Sequence, residues 1–271
     1  MFGLAQGQSW LAGRVAGVPI RLHWSLGIMV VVQLIRTLVY NPSFLLWALL
    51  CEVLIVASIA FHELSHALVA RSYGLRSLDI TLHAFGGWAR MSGEPTNPQQ
   101  VAISAAGPIS NLALWMAFGA LSRVASLGTL SYVGFELASF NLLIALFNMI
   151  PAYPLDGGSV LLHGLRMIAP YEKANWLAYK VGVVLSIPLA IYGVISGNLL
   201  LALVFYMSYQ YSQERLTGVG HVGGWAYWKQ RFWGSTRPRP SNVTPLNVDW
   251  QKYAPPGTTV REPTDKPPTI N

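Results

Sequence analysis

The sequence predicts an α-helical membrane protein with about six transmembrane helices and a small membrane-associated β-hairpin or sheet at about residues 78–91. Composition carries much of this prediction, because 53% of the 271 residues are hydrophobic and only 11% are charged. A soluble domain averages about 25% charged residues. The mean hydropathy is also positive, at +0.41. Lipid is therefore the expected solvent for most of the chain.

The apolar residues are gathered into six blocks, and several approach the ~20 residues that are needed to cross a bilayer core. The blocks occupy residues 24–40, 44–61, 101–121, 132–150, 181–195 and 198–207. Backbone polar groups inside lipid must satisfy one another, so each block is predicted to form a helix. The last two blocks are short, and we expect them to be tilted or tucked into the bundle.

The segment LDITLHAFGGWARM at residues 78–91 is the most polar part of the membrane region. Leu78, Ile80 and Leu82 alternate with polar residues and precede Gly86 and Gly87, which predicts strands with a glycine kink. A free strand edge can bind an extended peptide by strand addition. The alternative is a hairpin that only closes the bundle.

The net charge of +7 is explained by membrane orientation and predicts no nucleic-acid partner. If six spans follow a cytoplasmic N-terminus, then Arg36 and Arg123 are the only two of the 18 Lys and Arg residues outside cytoplasmic segments. Such an excess of positive charge on the cytoplasmic side is typical of membrane proteins. We therefore expect a multi-pass protein of the prokaryotic plasma membrane with both termini in the cytoplasm.

Two regions are predicted along the chain. Residues 1–213 form the membrane domain, and residues 214–271 form a cytoplasmic tail that is rich in proline from Pro238 onward. A proline-rich segment with few apolar residues cannot bury a core, so most of the tail is expected to be disordered. Its aromatic stretch at 221–233 is suited to lying at the membrane surface, or it is an aromatic belt with no separate role.

The motif His62-Glu63-Leu64-Ser65-His66 carries the clearest chemical signal. Positions i and i+4 lie on one face of a helix, so both imidazoles can bind one Zn²⁺ ion. Glu63 lies next to the first of them and can act as general base on a metal-activated water. The motif ends an apolar run, where ionisable residues are costly and functional by default. A hydrogen-bonded pair of core histidines is the alternative.

A third protein ligand is needed, and the chain offers few candidates: Glu52, Glu136, His83, His163 and Asp156. Asp156 follows the fourth apolar block, in a segment where two prolines and two glycines break the helix. Irregular backbone at membrane depth is tolerated where it is buried in protein or lines a cavity, so this carboxylate can face an ion. A simple turn is the alternative for an Asp-Gly-Gly sequence.

These motifs resemble those of the site-2 proteases, the intramembrane metalloproteases of the M50 type. The resemblance covers most of residues 13–165. It is carried by GVPIRLHWS at 17–25, FHELSHALVA at 61–70, FGGWARM at 85–91, AAGPISN at 105–111 and NMIPAYPLDGG at 148–158. It implies one Zn²⁺ per chain, bound by His62, His66 and Asp156, with Glu63 as a catalytic residue.

The resemblance also implies roles for residues around this centre. Asn148 is expected to steady the oxyanion or the substrate. The strand at Phe85, Gly86 and Gly87 is expected to bind the unwound substrate. A further motif contains Gly107, Pro108 and Asn111, which we expect to be structural and to lie at the start of the third core helix, where Gly-Pro suits a first turn.

The implied function is endoproteolysis of transmembrane segments of membrane proteins, with residues 1–213 as the metalloprotease domain. We expect a transmembrane protein or peptide as substrate, in contact with membrane lipid. The sequence favours a compact form without PDZ or CBS domains, so access would depend on the hairpin, on helix motion or on a regulatory membrane partner. A catalytically inactive homologue and a metal-binding or transport protein remain as alternatives.

Overall fold

The computed structural model describes residues 9–84, 86–124 and 128–217, apart from the side chain of Trp88. Phe85, the aromatic stretch at 221–233 and the proline-rich tail lie outside the described residues. The strands are β1 (Ser9–Val15), β2 (Val18–His23), β3 (Arg76–His83) and β4 (Gly86–Ser92). The helices are α1 (Trp24–Tyr40), α2 (Leu45–Ser72), α3 (Asn97–Ser122), α4 (Thr129–Asn148), α5 (Asp156–Ile168), α6 (Tyr171–Ile195) and α7 (Leu199–Thr217), with a 3-10 turn at Pro42–Phe44.

Four of the described helices are long and apolar enough to cross a membrane. They are α2 with its preceding 3-10 turn, α3, α4 and α6, while α1 is apolar but shorter. The mostly helical fold with a small sheet is confirmed, whereas the count of six spans stays a prediction. The apolar blocks did not indicate α5, which is too short and too polar to appear as one of them.

Helix α3 contacts α2, α4 and α5 and so lies at the centre of the bundle. Small residues let the helices approach closely, as expected where lipid provides no hydrophobic drive for helix association. A Cβ added to Gly134 of α4 would lie 3.0 Å from the backbone nitrogen of Ser122 in α3. Helices α6 and α7 meet in the same way, and Ser186 Oγ donates to Ser208 Oγ at 2.8 Å.

The expectation that Gly107 and Pro108 begin a core helix is wrong. Helix α3 starts at Asn97, where Thr96 and Gln99 form a reciprocal capping box. The wrong start came from the Gly-Pro pair, which suits a first turn, whereas the capping box lies before the apolar block. Pro108 is therefore inside the helix, where it cannot donate a backbone hydrogen bond.

The predicted hairpin is one half of a four-stranded sheet with the order β1-β2-β3-β4. Strands β2 and β3 are parallel and the other neighbours are antiparallel. Ile80 and Leu82 pack against Leu64 and Ala67 of α2, which fixes one face of the sheet to the bundle. Leu78 does not share that face as predicted, because a bulge between Ser77 and Asp79 shifts the register and leaves Leu78 50% exposed.

Candidate metal centre

Helix α2 and the first residue of α5 bring three metal-binding side chains together. His62 and His66 lie on one face of α2 with their Nε2 atoms 3.1 Å apart. Asp156 Oδ2 is 3.2 Å from His62 Nε2 and 3.4 Å from His66 Nε2. In the described part of the chain this is the one group of three or more His, Cys, Asp or Glu residues that could hold a metal ion.

Glycines in the Pro-Leu-Asp-Gly-Gly segment allow Asp156 to reach the histidines. A Cβ on Gly157 would lie 2.6 Å from the carbonyl oxygen of Ile150, and one on Gly158 would lie 2.6 Å from the backbone nitrogen of Tyr153. Only glycine permits the first turn of α5 to pack this closely on the preceding loop. The break in the helix is therefore a folded support for the carboxylate and not a simple surface turn.

The second nitrogen of each histidine has a hydrogen-bond acceptor. His66 Nδ1 donates to the carbonyl oxygen of Ile103 at 2.6 Å, and His62 Nδ1 lies 2.5 Å from Asn111 Oδ1. With Nδ1 engaged in each ring, the Nε2 atoms, which face Asp156, are the atoms available to a metal ion. Histidine ligands of metal ions are usually oriented by such partners.

Asn111 belongs to a buried polar network that crosses three helices. Its Nδ2 donates to Asn141 Oδ1 of α4 at 2.7 Å, which assigns Asn111 Oδ1 as the acceptor for His62. Asn141 Nδ2 in turn donates to Leu137 O and to Ser58 Oγ. Both asparagines are fully buried. Sequence reasoning gave Asn111 a structural role and missed Asn141, although a polar side chain within an apolar span is itself a functional signal.

Replacing Asn111 with leucine is expected to weaken zinc binding by about 10–100-fold, the usual cost of losing the hydrogen-bond partner of a metal-binding histidine. Leucine would leave His62 Nδ1 without an acceptor, so the imidazole would lose its tautomer and orientation. Competition with a chromophoric chelator measures this affinity. The matched control is Asn97→Leu, because Asn97 on the same helix also binds a histidine, His163, outside the cluster at 2.9 Å. Equal zinc affinity in both variants would contradict the positioning role.

Glu63 lies beside the cluster, buried between α2 and strand β4. A Cβ on Gly87 would lie 2.6 Å from the Glu63 carboxyl carbon, and the carboxylate also faces the backbone N–H of Ala89. On the other side of the cluster, a Cβ on Gly107 would lie 2.6 Å from His62 Nε2. The two glycines therefore keep open the space in front of the metal-binding atoms and the carboxylate.

Of the predicted substrate-binding and oxyanion residues that the structure describes, only Gly87 has a described contact with the site. Gly87 contacts Glu63. Gly86 begins β4 with a φ of +118°, and a Cβ added to it would have no atom within 4 Å. The Asn148 side-chain amide donates to Ile144 O in its own helix at 3.1 Å. No described contact joins Asn148 to the cluster, so its role stays a prediction.

The remaining candidate ligands are separate from the described cluster. His163 binds Asn97 and so connects α5 to α3. The ring of His83 lies 4.7 Å from that of His23. Burial lowers the pKa of His83 to about 4, helped by the neighbouring His23, so its imidazole is neutral at pH 7. Neither Glu52 nor Glu136 joins the group at Asp156.

A zinc ion fits this arrangement on the evidence of its donors. Asp156 Oδ2 is buried without a hydrogen-bond partner, and it lies within 3.4 Å of two imidazole nitrogens of the kind that bind Zn²⁺. Two histidines and one carboxylate are a known ligand set of catalytic zinc, which keeps a fourth position for water or substrate. A membrane-helix bundle that buries such a set beside a glutamate defines a membrane protein of the metallopeptidase class.

Comparisons with known proteins agree with this class. The model of the Peptidase M50B-like family matches residues 28–197. Zinc metalloprotease MJ0392 of Methanocaldococcus jannaschii is 31% identical over 197 residues, which cover 72% of this chain and 57% of that protein. Stage IV sporulation protein FB of Bacillus subtilis is 35% identical over 136 residues, or 49% of this chain and 45% of that protein.

A solved structure is also similar. The site-2 protease from Methanocaldococcus jannaschii aligns with a TM-score of 0.55 and 28% identity, covering 79% of this chain and 97% of that one. The chain belongs to the Peptidase M50B-like family, which confirms the resemblance to the site-2 proteases. It spans less than two thirds of the length of the curated relative MJ0392.

Proposed function

We propose that the chain is an intramembrane zinc metalloendopeptidase that cleaves transmembrane segments of membrane proteins. The observation that carries this proposal is the burial of His62, Glu63 and His66 on α2, a helix long and apolar enough to span a membrane. Buried ionisable groups in such a helix are costly unless they serve a function. A glutamate beside two metal-binding histidines suits hydrolysis, whereas ion binding or transport does not require it.

One Zn²⁺ per chain would be held by His62 Nε2, His66 Nε2 and a carboxylate oxygen of Asp156. When bound, zinc supplies Lewis acidity, which lowers the pKa of water and polarises a carbonyl group. The protein contributes the orientation of each ligand. Asn111 and the Ile103 carbonyl fix the two imidazoles, and the glycines after Asp156 place its carboxylate.

Glu63 is the proposed general base and acid. Its carboxylate would take a proton from the attacking water and deliver it to the amine that leaves when the peptide bond breaks. Because Gly87 has no side chain, β4 leaves room for this carboxylate beside the metal centre. We further propose that Asn148 steadies the substrate or oxyanion, as the family resemblance implies.

Strand β4 is the proposed substrate edge. It is an end strand of the described sheet, and its Gly87 lies against Glu63. Peptide bonds in a helical substrate are shielded by their own hydrogen bonds, so the substrate must unwind before cleavage. An unwound segment that paired with the free edge of β4 would gain backbone hydrogen bonds in place of those it lost.

Arg71 lies in the last turn of α2, after His62 and His66. Basic residues are enriched on the cytoplasmic side of membrane proteins, which supports a cytoplasmic location for this end of α2. We propose a multi-pass protein of the prokaryotic plasma membrane with both termini in the cytoplasm. The proposed domain organisation is a membrane metalloprotease domain at 1–213 and a cytoplasmic tail at 214–271. A regulatory membrane partner is compatible with this arrangement.

Cleavage of a defined substrate in liposomes tests the proposal. The purified chain would be reconstituted with zinc and a single-span model protein whose span contains Gly and Pro residues, and mass spectrometry would locate the new termini. We expect a cut within the apolar span, because Gly and Pro ease local unwinding. A span of Leu and Ala is the matched control and should be cut more slowly. Cleavage only in soluble loops would overturn the proposed substrate class.

A further inference from the structure

Each strand of the sheet contains one arginine, and the pairing register places all four on one face. The four residues, called here the arginine face, are Arg14, Arg21, Arg76 and Arg90. In β1, Arg14 is paired with Pro19, and Pro19 is two residues from Arg21 in β2. Paired residues share a face of the sheet, as do residues two apart in a strand. Arg14 and Arg21 therefore point to the same side.

The other two arginines join the same face through Asp79. Arg90 Nε donates to Asp79 Oδ1 at 2.5 Å, and Arg21 Nε lies 3.4 Å from Asp79 Oδ2. Arg76 is paired with Ser92, two residues after Arg90. The four strands thus contain one carboxylate, Asp79, and four arginines, of which Asp79 contacts Arg21 and Arg90. The net charge of the four arginines and Asp79 is therefore positive, and Asp79 is already paired with Arg21 and Arg90.

The arginine face is turned away from the helix bundle. Ile80 and Leu82 lie on the opposite face and pack against α2. Arg14 and Arg76 are exposed, and neither forms an ion pair among the described residues. One face of the sheet therefore contains arginines without acidic partners among the described residues, while its other face packs in the hydrophobic core.

The position of the sheet next to apolar helices indicates which partner the arginine face would bind. Strand β2 ends at His23 and runs directly into the apolar helix α1, and the inner face of the sheet packs on α2 between Val56 and Ala67. The sheet therefore lies against a helix that is long and apolar enough to span a membrane, and its arginine face points away from that helix. The C-terminal residues 218–271 contain more Lys and Arg than Asp and Glu, and a second copy would present the same charge. Neither complements this surface.

We propose that the arginine face binds the headgroups of anionic phospholipids and so holds the sheet against the membrane surface. Guanidinium groups suit phosphate because they donate bidentate hydrogen bonds in a fixed plane. Basic residues near an anionic leaflet gain additional attraction from its surface potential. Strand β4 belongs to this sheet, so lipid binding would also steady the strand that contacts Glu63.

Lipid selection in nanodiscs tests this inference without any readout of proteolysis. The full chain would be placed in phosphatidylcholine discs containing phosphatidylglycerol, and spin-labelled forms of each lipid would report which one associates with the protein. The test variant is Arg14→Gln/Arg76→Gln, which leaves the Asp79 ion pairs intact. Its matched control is Arg36→Gln/Arg123→Gln, which removes two exposed arginines from helical regions outside the sheet.

The unaltered chain should prefer phosphatidylglycerol, and the preference should decrease by up to about fivefold for each arginine removed from the face. The control should keep most of the preference, and 1 M salt should weaken it in every form. No preference in the unaltered chain, or equal losses in both variants, would overturn the proposal. So would binding of a soluble polyglutamate peptide in place of lipid, which would assign the face to an acidic protein segment.

Discussion

Replacing Glu63 with glutamine is expected to reduce cleavage by about 10²–10⁴-fold or more, the usual contribution of general acid–base catalysis. Glutamine has nearly the same shape, so it can keep the packing against Gly87 and strand β4. It cannot accept a proton from water at neutral pH. Zinc binding should persist, because Glu63 is not one of the three residues in the ligand group. Initial rates and zinc content, measured on the same preparation, check both parts of the expectation.

The matched control for this variant is Glu52→Gln on the same helix. Glu52 is also buried, so its replacement removes an acid from α2 in a similar setting. It does not join the metal-binding group, and we expect near-normal cleavage. Full activity of the Glu63 variant would contradict the proposed mechanism. Loss of zinc together with activity would instead assign Glu63 a role in binding the metal.

Replacing Asp156 with alanine is expected to lower zinc affinity by more than the roughly 10–100-fold that losing the hydrogen-bond partner of a ligand costs. Its Oδ2 lies within 3.4 Å of the Nε2 atoms of His62 and His66. Alanine would therefore leave two ligands where catalytic zinc sites have three. Cleavage should disappear at limiting zinc. A chelator-competition titration measures the affinity, and excess zinc should restore little activity because the ligand geometry is incomplete.

Two further variants separate ligation from packing. Asp156→Asn keeps the size of the side chain at the first residue of α5 but removes its negative charge, so zinc affinity should still decrease strongly. Glu172→Gln removes an exposed acid from the first turn of α6 and should leave zinc affinity unchanged. Unchanged affinity in both Asp156 variants would remove this residue from the ligand group.

Much of the fold was predictable because lipid imposes long apolar helices, although several helices extend beyond their apolar blocks, as α2 does to Ser72. The elements that were not predicted lack a long apolar block. Helix α5 is short and amphipathic, and β1 and β2 consist of seven and six residues that precede the first apolar block. Strand β1 pairs with β2, and β2 pairs with β3, which is distant from it along the chain. The bulge that exposes Leu78 likewise depends on the register with β4.

The residues of the candidate metal centre, with Glu63 beside it, were predictable to different degrees. His62, Glu63 and His66 follow from helical spacing, whereas Asp156 rested on the family resemblance and on the break after α4. The structure brings Asp156 to the histidines. The buried bridge from Asn111 to Asn141 could not be read from spacing, because it joins side chains 30 residues apart on different helices.

The zinc titration of the unaltered chain tests the central claim most directly. Purified in detergent without chelator and titrated against a competing chromophore, the chain should bind one zinc ion per molecule. His62→Ala/His66→Ala should abolish that binding, since it removes two of the three ligands. An unaltered chain that binds no zinc, or a double variant that still binds one equivalent as tightly, would contradict the assignment of this cluster as the metal centre.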